Sequence, residues 1–142
     1  NFAWERLLMS IGAIGAMDRL IEISVNYAKE RQAFGRPIGS FQAIRHKIAM
    51  MATRTEASRA FAYDTLRRFH EGEVVVREVS MSKLDSQRAL VDIADEAIQI
   101  HGGYGYMREY EVERALRDAR LGPIGGGNDE IMMEIIGKTY GL

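Results

Sequence analysis

Helical periodicity, sustained three times along the chain, constrains this sequence more than any other feature. From Trp4 to Arg31, apolar residues recur at Leu8, Ile11, Ile14, Ile21, Val25 and Ala28, the spacing of one helix face. That run stops at Phe34-Gly35-Arg36-Pro37. Ser40 then offers an N-cap for a second helix, whose face reads Phe41, Ile44, Ile48, Met51, Thr55, Ala62, Leu66 and Phe69. Gly72 closes it. A third helix runs from about Val75 to His101, with Val79, Ser86, Leu90, Ile93, Ala97 and Ile100 on one stripe, and Gly102-Gly103-Tyr104-Gly105 ends it. A shorter helix is predicted over Glu109 to Arg120. After the glycine-rich break at Gly122 to Gly127, Asn128 caps a last helix with Asp129 and Glu130 in its first turn. No segment alternates as a strand does. Three helices of roughly 27 to 32 residues would each be about 40–48 Å long. Short breaks between long helices make antiparallel neighbours, so the expected fold is all-α: an up-down four-helix bundle with additional short C-terminal helices. Gly12 and Gly15 would let a second backbone come close to the first helix.

The 142 residues fit one domain, and an apolar share of 46% is enough for a core. Nineteen Lys and Arg against 20 Asp and Glu give a net charge of −1, with no basic excess to bind nucleic acid. There is no cysteine, which excludes disulfides, thiolate metal sites and cysteine nucleophiles. A di-iron bundle needs Glu-x-x-His pairs on two helices, and none occurs, so no metal site is expected. His46, His70 and His101 read as surface or capping residues. Gly137-Lys138-Thr139 imitates the end of a phosphate loop, but Met132 stands where the earlier glycine must be. No apolar run is long enough to span a membrane. The chain starts at Asn1 and turns helical at once, without a capping segment, which reads as a piece of a longer polypeptide.

Taken singly, the polar candidates are ordinary. Glu5 is an acid at a helix start and Arg31 a base at a helix end, both favoured by the helix dipole. Gly125-Gly126-Gly127 reads either as a flexible loop or as a turn whose free N–H groups hold an anion or a polarised carbonyl. Composition and spacing stop at a helical bundle.

The ordered motifs reach further. Tyr27-Ala28-Lys29-Glu30-Arg31-Gln32-Ala33-Phe34-Gly35, then Ile38 and Phe41-Gln42, resemble the acyl-CoA dehydrogenase family. So do Gln99-Ile100-His101-Gly102-Gly103-Tyr104-Gly105-Tyr106, Arg117-Asp118-Ala119-Arg120 and the closing Gly125-Gly126-Gly127-Asn128-Asp129-Glu130-Ile131. The likeness covers essentially the whole chain and is nearest to the long-chain and isovaleryl-CoA branch. It implies that residues 1–142 form the C-terminal helical domain of such an enzyme. The N-terminal helical and middle β domains that family members carry are not in this sequence.

The resemblance also implies chemistry. The family oxidises acyl-CoA thioesters to trans-2-enoyl-CoA with FAD: a carboxylate removes the α-proton and the β-hydrogen leaves as hydride. Many members place that carboxylate in the last glycine-rich turn, where this chain has Gly126. The other branch places it at the start of the first long helix, here Trp4-Glu5-Arg6, so Glu5 is the expected base. Burial against flavin and acyl chain is expected to raise its pKa. Arg31, Gln42, Gln99, Ile100, His101, Gly102 and Gly103 match flavin-contacting positions, Arg31 at the pyrophosphate. Such contacts reach the FAD of a neighbouring subunit, which implies a homo-oligomer, a tetramer or dimer. Asn128, Asp129 and Glu130 match a second flavin-contacting turn, with Asn128 where threonine is common. Ala3, Trp4, Arg6, Gly126 and Gly127 match the acyl-CoA site. An electron-transfer flavoprotein is the implied acceptor, and bacterial cytoplasm or mitochondrial matrix the implied compartment. Two other readings stay open: a helical assembly module without catalysis, and a flavin oxidase or monooxygenase relative.

Overall fold

The computed structural model describes residues 2–142. Three long helices carry the fold: α1 (Phe2–Glu30), α2 (Gln42–His70) and α3 (Val76–His101). Two short ones follow, α4 (Glu111–Ala119) and α5 (Asp129–Lys138). Cross-helix contacts fix the directions. Asp18 meets Arg59 and Trp4 stacks on Phe69, so α1 and α2 run antiparallel. Arg54 meets Asp85 and Lys47 meets Glu96, so α2 and α3 do too. The Met9 carbonyl accepts from Gln87 while Tyr27 donates to the His101 carbonyl, so α1 and α3 are parallel. This is the expected all-α up-down bundle, with its remaining side closed by α4, against α3 and α1, and α5, against α3. At 29, 29 and 26 residues, the long helices span about 44, 44 and 39 Å. No described helix is long and apolar enough to cross a membrane.

The core lies where α1, α2 and α3 meet. Ile14, Met17, Leu20, Met51, Leu90 and Ile93 fill it, and Ala89, Ala94 and Ala97 keep the α3 side flat. The six stripe residues expected on α3 are all buried. On α1 the expected stripe is rotated. The buried face is Leu7, Ser10, Ala13, Ile14, Met17, Leu20, Ser24 and Ala28, while Leu8 is half exposed and Ile11, Ile21 and Val25 are only partly covered. Leu7, Ile14, Met17 and Leu20 share that face with two serines and two alanines, while Leu8, Ile11, Ile21 and Val25 lie beside it. Apolar residues on α1 are thus spread too widely for periodicity to choose the face. Ser10 satisfies its hydroxyl by donating to the Arg6 carbonyl.

Other local expectations also change. Ser40 does not cap α2: it closes a 3-10 turn (Ile38–Ser40), where its hydroxyl donates to the Pro37 carbonyl at 2.7 Å, and Phe41 takes the cap position. The Phe34–Gly35 turn closes a two-residue antiparallel pair, Gln32–Ala33 against Arg36–Pro37, too short to show as alternation. Gly12 and Gly15 meet no second backbone; a Cβ at either would have nothing within 4 Å. His46 and His70 are exposed, but His101 is buried, because it faces the bundle interior at the end of α3. The predicted Glu109–Arg120 helix starts two residues later, at Glu111.

Candidate functional site

The candidate residues gather at the two ends of the bundle. At the first end lie the start of α1, the glycine-rich turn and the start of α5. Gly126 and Gly127 have φ of 65° and 91°, in the left-handed region that favours glycine. A Cβ on Gly126 would stand 2.5 Å from Met9 Sδ, and one on Gly127 would stand 2.9 Å from Met132 Cε. The turn is also tied through its carbonyls. Arg6 Nε donates to the Gly126 carbonyl at 3.1 Å. Lys83 Nζ, from α3, donates to the carbonyls of Gly122 and Gly127 at 2.7 Å each. The N–H groups of Gly126 and Gly127 donate to no other described residue.

Around this turn, Glu5 is exposed and makes no ion pair or hydrogen bond with another described residue. The burial expected of the base is not supplied by this chain. Trp4 lies 6.1 Å from Phe69 in a stacked pair, and Ala3 packs over Leu7, Val75 and Val79. Asn128 caps α5, its side-chain oxygen accepting from the Ile131 N–H at 3.0 Å. Glu130 is exposed. Asp129 departs from expectation. Its side chain is turned into the protein, where Oδ2 accepts from Arg88 Nε at 2.7 Å. The α5 helix starts there, and its first residue faces α3 rather than the open side of the turn.

The second end holds a cavity of about 570 Å³, lined by Tyr27, Arg31, Ile38, Ile100, His101, Gly102, Gly103, Tyr104 and Met107. The Arg31 guanidinium lies over the Tyr104 ring at 5.3 Å and pairs with no described carboxylate. Tyr27 stacks on His101 at 4.2 Å. His101 Nδ1 lies 2.7 Å from the Ala97 carbonyl, so Nδ1 carries the proton, and burial lowers the ring's pKa. A Cβ on Gly102 or Gly103 would meet nothing within 4 Å, so this backbone is open to a ligand. Gln42 opens α2 at this end and Gln99 is exposed on α3, but neither lines the cavity.

The model of the acyl-CoA dehydrogenase C-terminal domain matches residues 1–141. The chain belongs to the acyl-CoA dehydrogenase family. An acyl-CoA dehydrogenase of Bacillus subtilis is 44% identical over 138 residues, covering 97% of this chain and 36% of the relative. The mitochondrial isovaleryl-CoA dehydrogenase of Oryza sativa is 41% identical over 134 residues, 94% of this chain and 33% of its own length. A solved structure, a probable acyl-CoA dehydrogenase from Mycobacterium abscessus, superposes with a TM-score of 0.95 at 42% identity, over 98% of this chain and 37% of that one. The acyl-CoA dehydrogenase C-terminal domain thus spans about a third of the proteins it matches.

Within this acyl-CoA dehydrogenase domain, sequence reasoning missed Lys83. Its signal was present: Lys83 stands on the buried stripe between Val79 and Ser86, where an apolar residue is the rule. Burial pushes its pKa down, opposed by the charge of Asp129. Phe34 shows an exposure that its motif position does not announce. At 95% exposed with φ of 53°, it stands out at the hairpin tip, edge-on to Phe41.

Proposed function

We propose that this chain is the flavin- and thioester-contacting C-terminal domain of an FAD-dependent acyl-CoA dehydrogenase, with Glu5 as the base that takes the α-proton. One observation carries the reading. An unspent carboxylate, Glu5, adjoins Arg6, and Arg6 is hydrogen-bonded to the turn whose Gly126 has no side chain of its own. A base on the helix and a glycine in the turn are complementary: the turn carries no carboxylate of its own and the helix supplies the proton acceptor.

A carboxylate is a weak base for a C–H acid, so the thioester oxygen must be stabilised as the proton leaves. The N–H groups of Gly126 and Gly127, which donate to no described residue, suit that task. Arg6 and Lys83 hold the turn through its carbonyls without substrate, so little reorganisation is needed during reaction. Ala3, Trp4 and Arg6 are the further residues we assign to the acyl-CoA site.

The second-end cavity fits one end of a flavin dinucleotide. Arg31 is a fork-shaped cation with no carboxylate partner, suited to a pyrophosphate, and Gly102 and Gly103 leave the backbone accessible. His101 and Ile100 form the wall, and Gln42 and Gln99, on the α2 start and the α3 end, are the further residues we assign to the flavin. Asn128 and Glu130 belong to the first end, beside the turn, while Asp129 acts there through the fold. When bound, FAD supplies the acceptor for the β-hydrogen and its electron pair. The two ends lie on opposite faces of the bundle length, so they serve two cofactors, one of them a neighbour's in a homo-oligomer. An electron-transfer flavoprotein is the proposed electron acceptor.

The test uses the complete polypeptide that contains this domain. Replacement Glu5→Gln is expected to slow anaerobic flavin bleaching by acyl-CoA by about 100-fold or more, the usual share of a general base. Flavin content stays as in the wild type. Bleaching at the wild-type rate would remove Glu5 from the mechanism.

A further inference from the structure

The proposed chemistry depends on where the glycine-rich turn stands, and a buried lysine that is none of the candidate site residues holds that turn through its carbonyls. Lys83 is 0% exposed. Its ammonium donates to Gly122 O and Gly127 O, so a single group ties both ends of the turn to α3. No described carboxylate stands within ion-pair distance of it; Asp129, the acid that influences it, is bound by Arg88. A buried ammonium is costly unless its hydrogens are used, and here two are spent on one loop.

The carbonyls chosen matter. Gly126 O, bound by Arg6, shares its peptide unit with the Gly127 N–H. Gly127 O, bound by Lys83, shares its unit with the Asn128 N–H. A cation on a carbonyl draws electron density across the amide and makes the attached N–H a stronger donor. Two successive peptide units are thus backed by cations on their carbonyl side.

We propose that Lys83 is a positioning residue of the thioester site: by holding Gly122 O and Gly127 O it fixes the height of the Gly122–Gly127 turn, so that the turn's N–H groups stand where charge develops on the thioester oxygen. The proposal rests on the acyl-CoA dehydrogenase reading above. Lys83 touches no substrate and acts through the turn.

The test again uses the complete polypeptide, with Lys83→Met, which keeps side-chain bulk and removes charge and donors. Flavin content is expected to match the wild type. Turnover per bound flavin with an acyl-CoA falls about 10- to 100-fold, the scale of a displaced or lost oxyanion donor. KM moves less than about three-fold, because the interaction matters in the transition state. Hydrogen exchange, measured without thioester, reads the turn directly: the Asp129 N–H, which donates to Pro123 O across it at 3.0 Å, exchanges faster in the variant. Wild-type turnover per flavin in Lys83→Met, even with a lowered melting temperature, would make Lys83 merely structural and overturn the proposal. If Lys83→Met does not fold, Lys83→Gln, which keeps an amide donor, is expected between the two, and wild-type turnover there overturns it equally. If the wild type is bleached by no thioester, the dehydrogenase reading fails by itself. Unchanged exchange in the variant would then still refute the hold on the turn.

Discussion

His101 shows how one residue's surroundings set its charge. Its Nδ1 proton is spent on the Ala97 carbonyl, Tyr27 covers one face, and Tyr110 lies edge-on at 6.2 Å. Protonating Nε2 would place a cation in this buried, aromatic site, so burial depresses the folded pKa below 6.5. The unfolded chain therefore binds more protons in the window between the depressed value and 6.5. The resulting stability is present above 6.5 and is lost as pH falls through that window. Melting temperature is expected to drop between pH 7.5 and pH 5, and His101→Asn is expected to flatten that slope. An equal slope in the variant would assign the acid limb to other groups. The sequence shows a histidine at a helix end, the place of a surface residue. It does not show Tyr27, which comes from 74 positions away along the chain.

At the scale of elements, α5 depends on its cap. Asn128 accepts the Ile131 N–H, one of the four donors a helix leaves open at its start. Asn128→Ala is expected to cost about 1 kcal/mol in chemical denaturation, and Asn128→Thr to restore most of it. A null effect would mean that Lys83 and the Arg88–Asp129 pair hold this helix start alone. The cap is local and legible in the sequence, as were the breaks at Gly72 and Gly102. The face of α1 was not. Its buried side mixes Leu7, Ile14, Met17 and Leu20 with serines and alanines, and only the packed neighbours reveal which of the apolar residues around α1 are inside. For the same reason Ser40 could be read as a cap: the 3-10 turn that takes its hydroxyl is set by the preceding hairpin.

For the whole molecule, the governing fact is separation. Lys83 and His101 lie on one straight helix, about 27 Å apart. The two candidate clusters therefore cannot form one compact pocket in a single chain. If the proposed function holds, Arg31→Met in the complete polypeptide that contains this domain is expected to lower the flavin retained on gel filtration, with the helical circular dichroism unchanged. Its stability should shift by less than about 1 kcal/mol, since Arg31 loses only a contact over Tyr104. Full flavin retention would reject Arg31 as a dinucleotide ligand.

Helix number, order, breaks and the last cap were determined by the sequence itself, because periodicity, glycine, proline and capping act between neighbours a few residues apart. The family motifs were likewise written in order along the chain. Tertiary structure decided the rest. It joined Arg6 to Gly126, set Lys83 under the turn from 44 residues away, turned Asp129 inward and split the cofactor candidates between two ends. Those contacts depend on the register between helices, which side-chain packing fixes and local sequence does not encode.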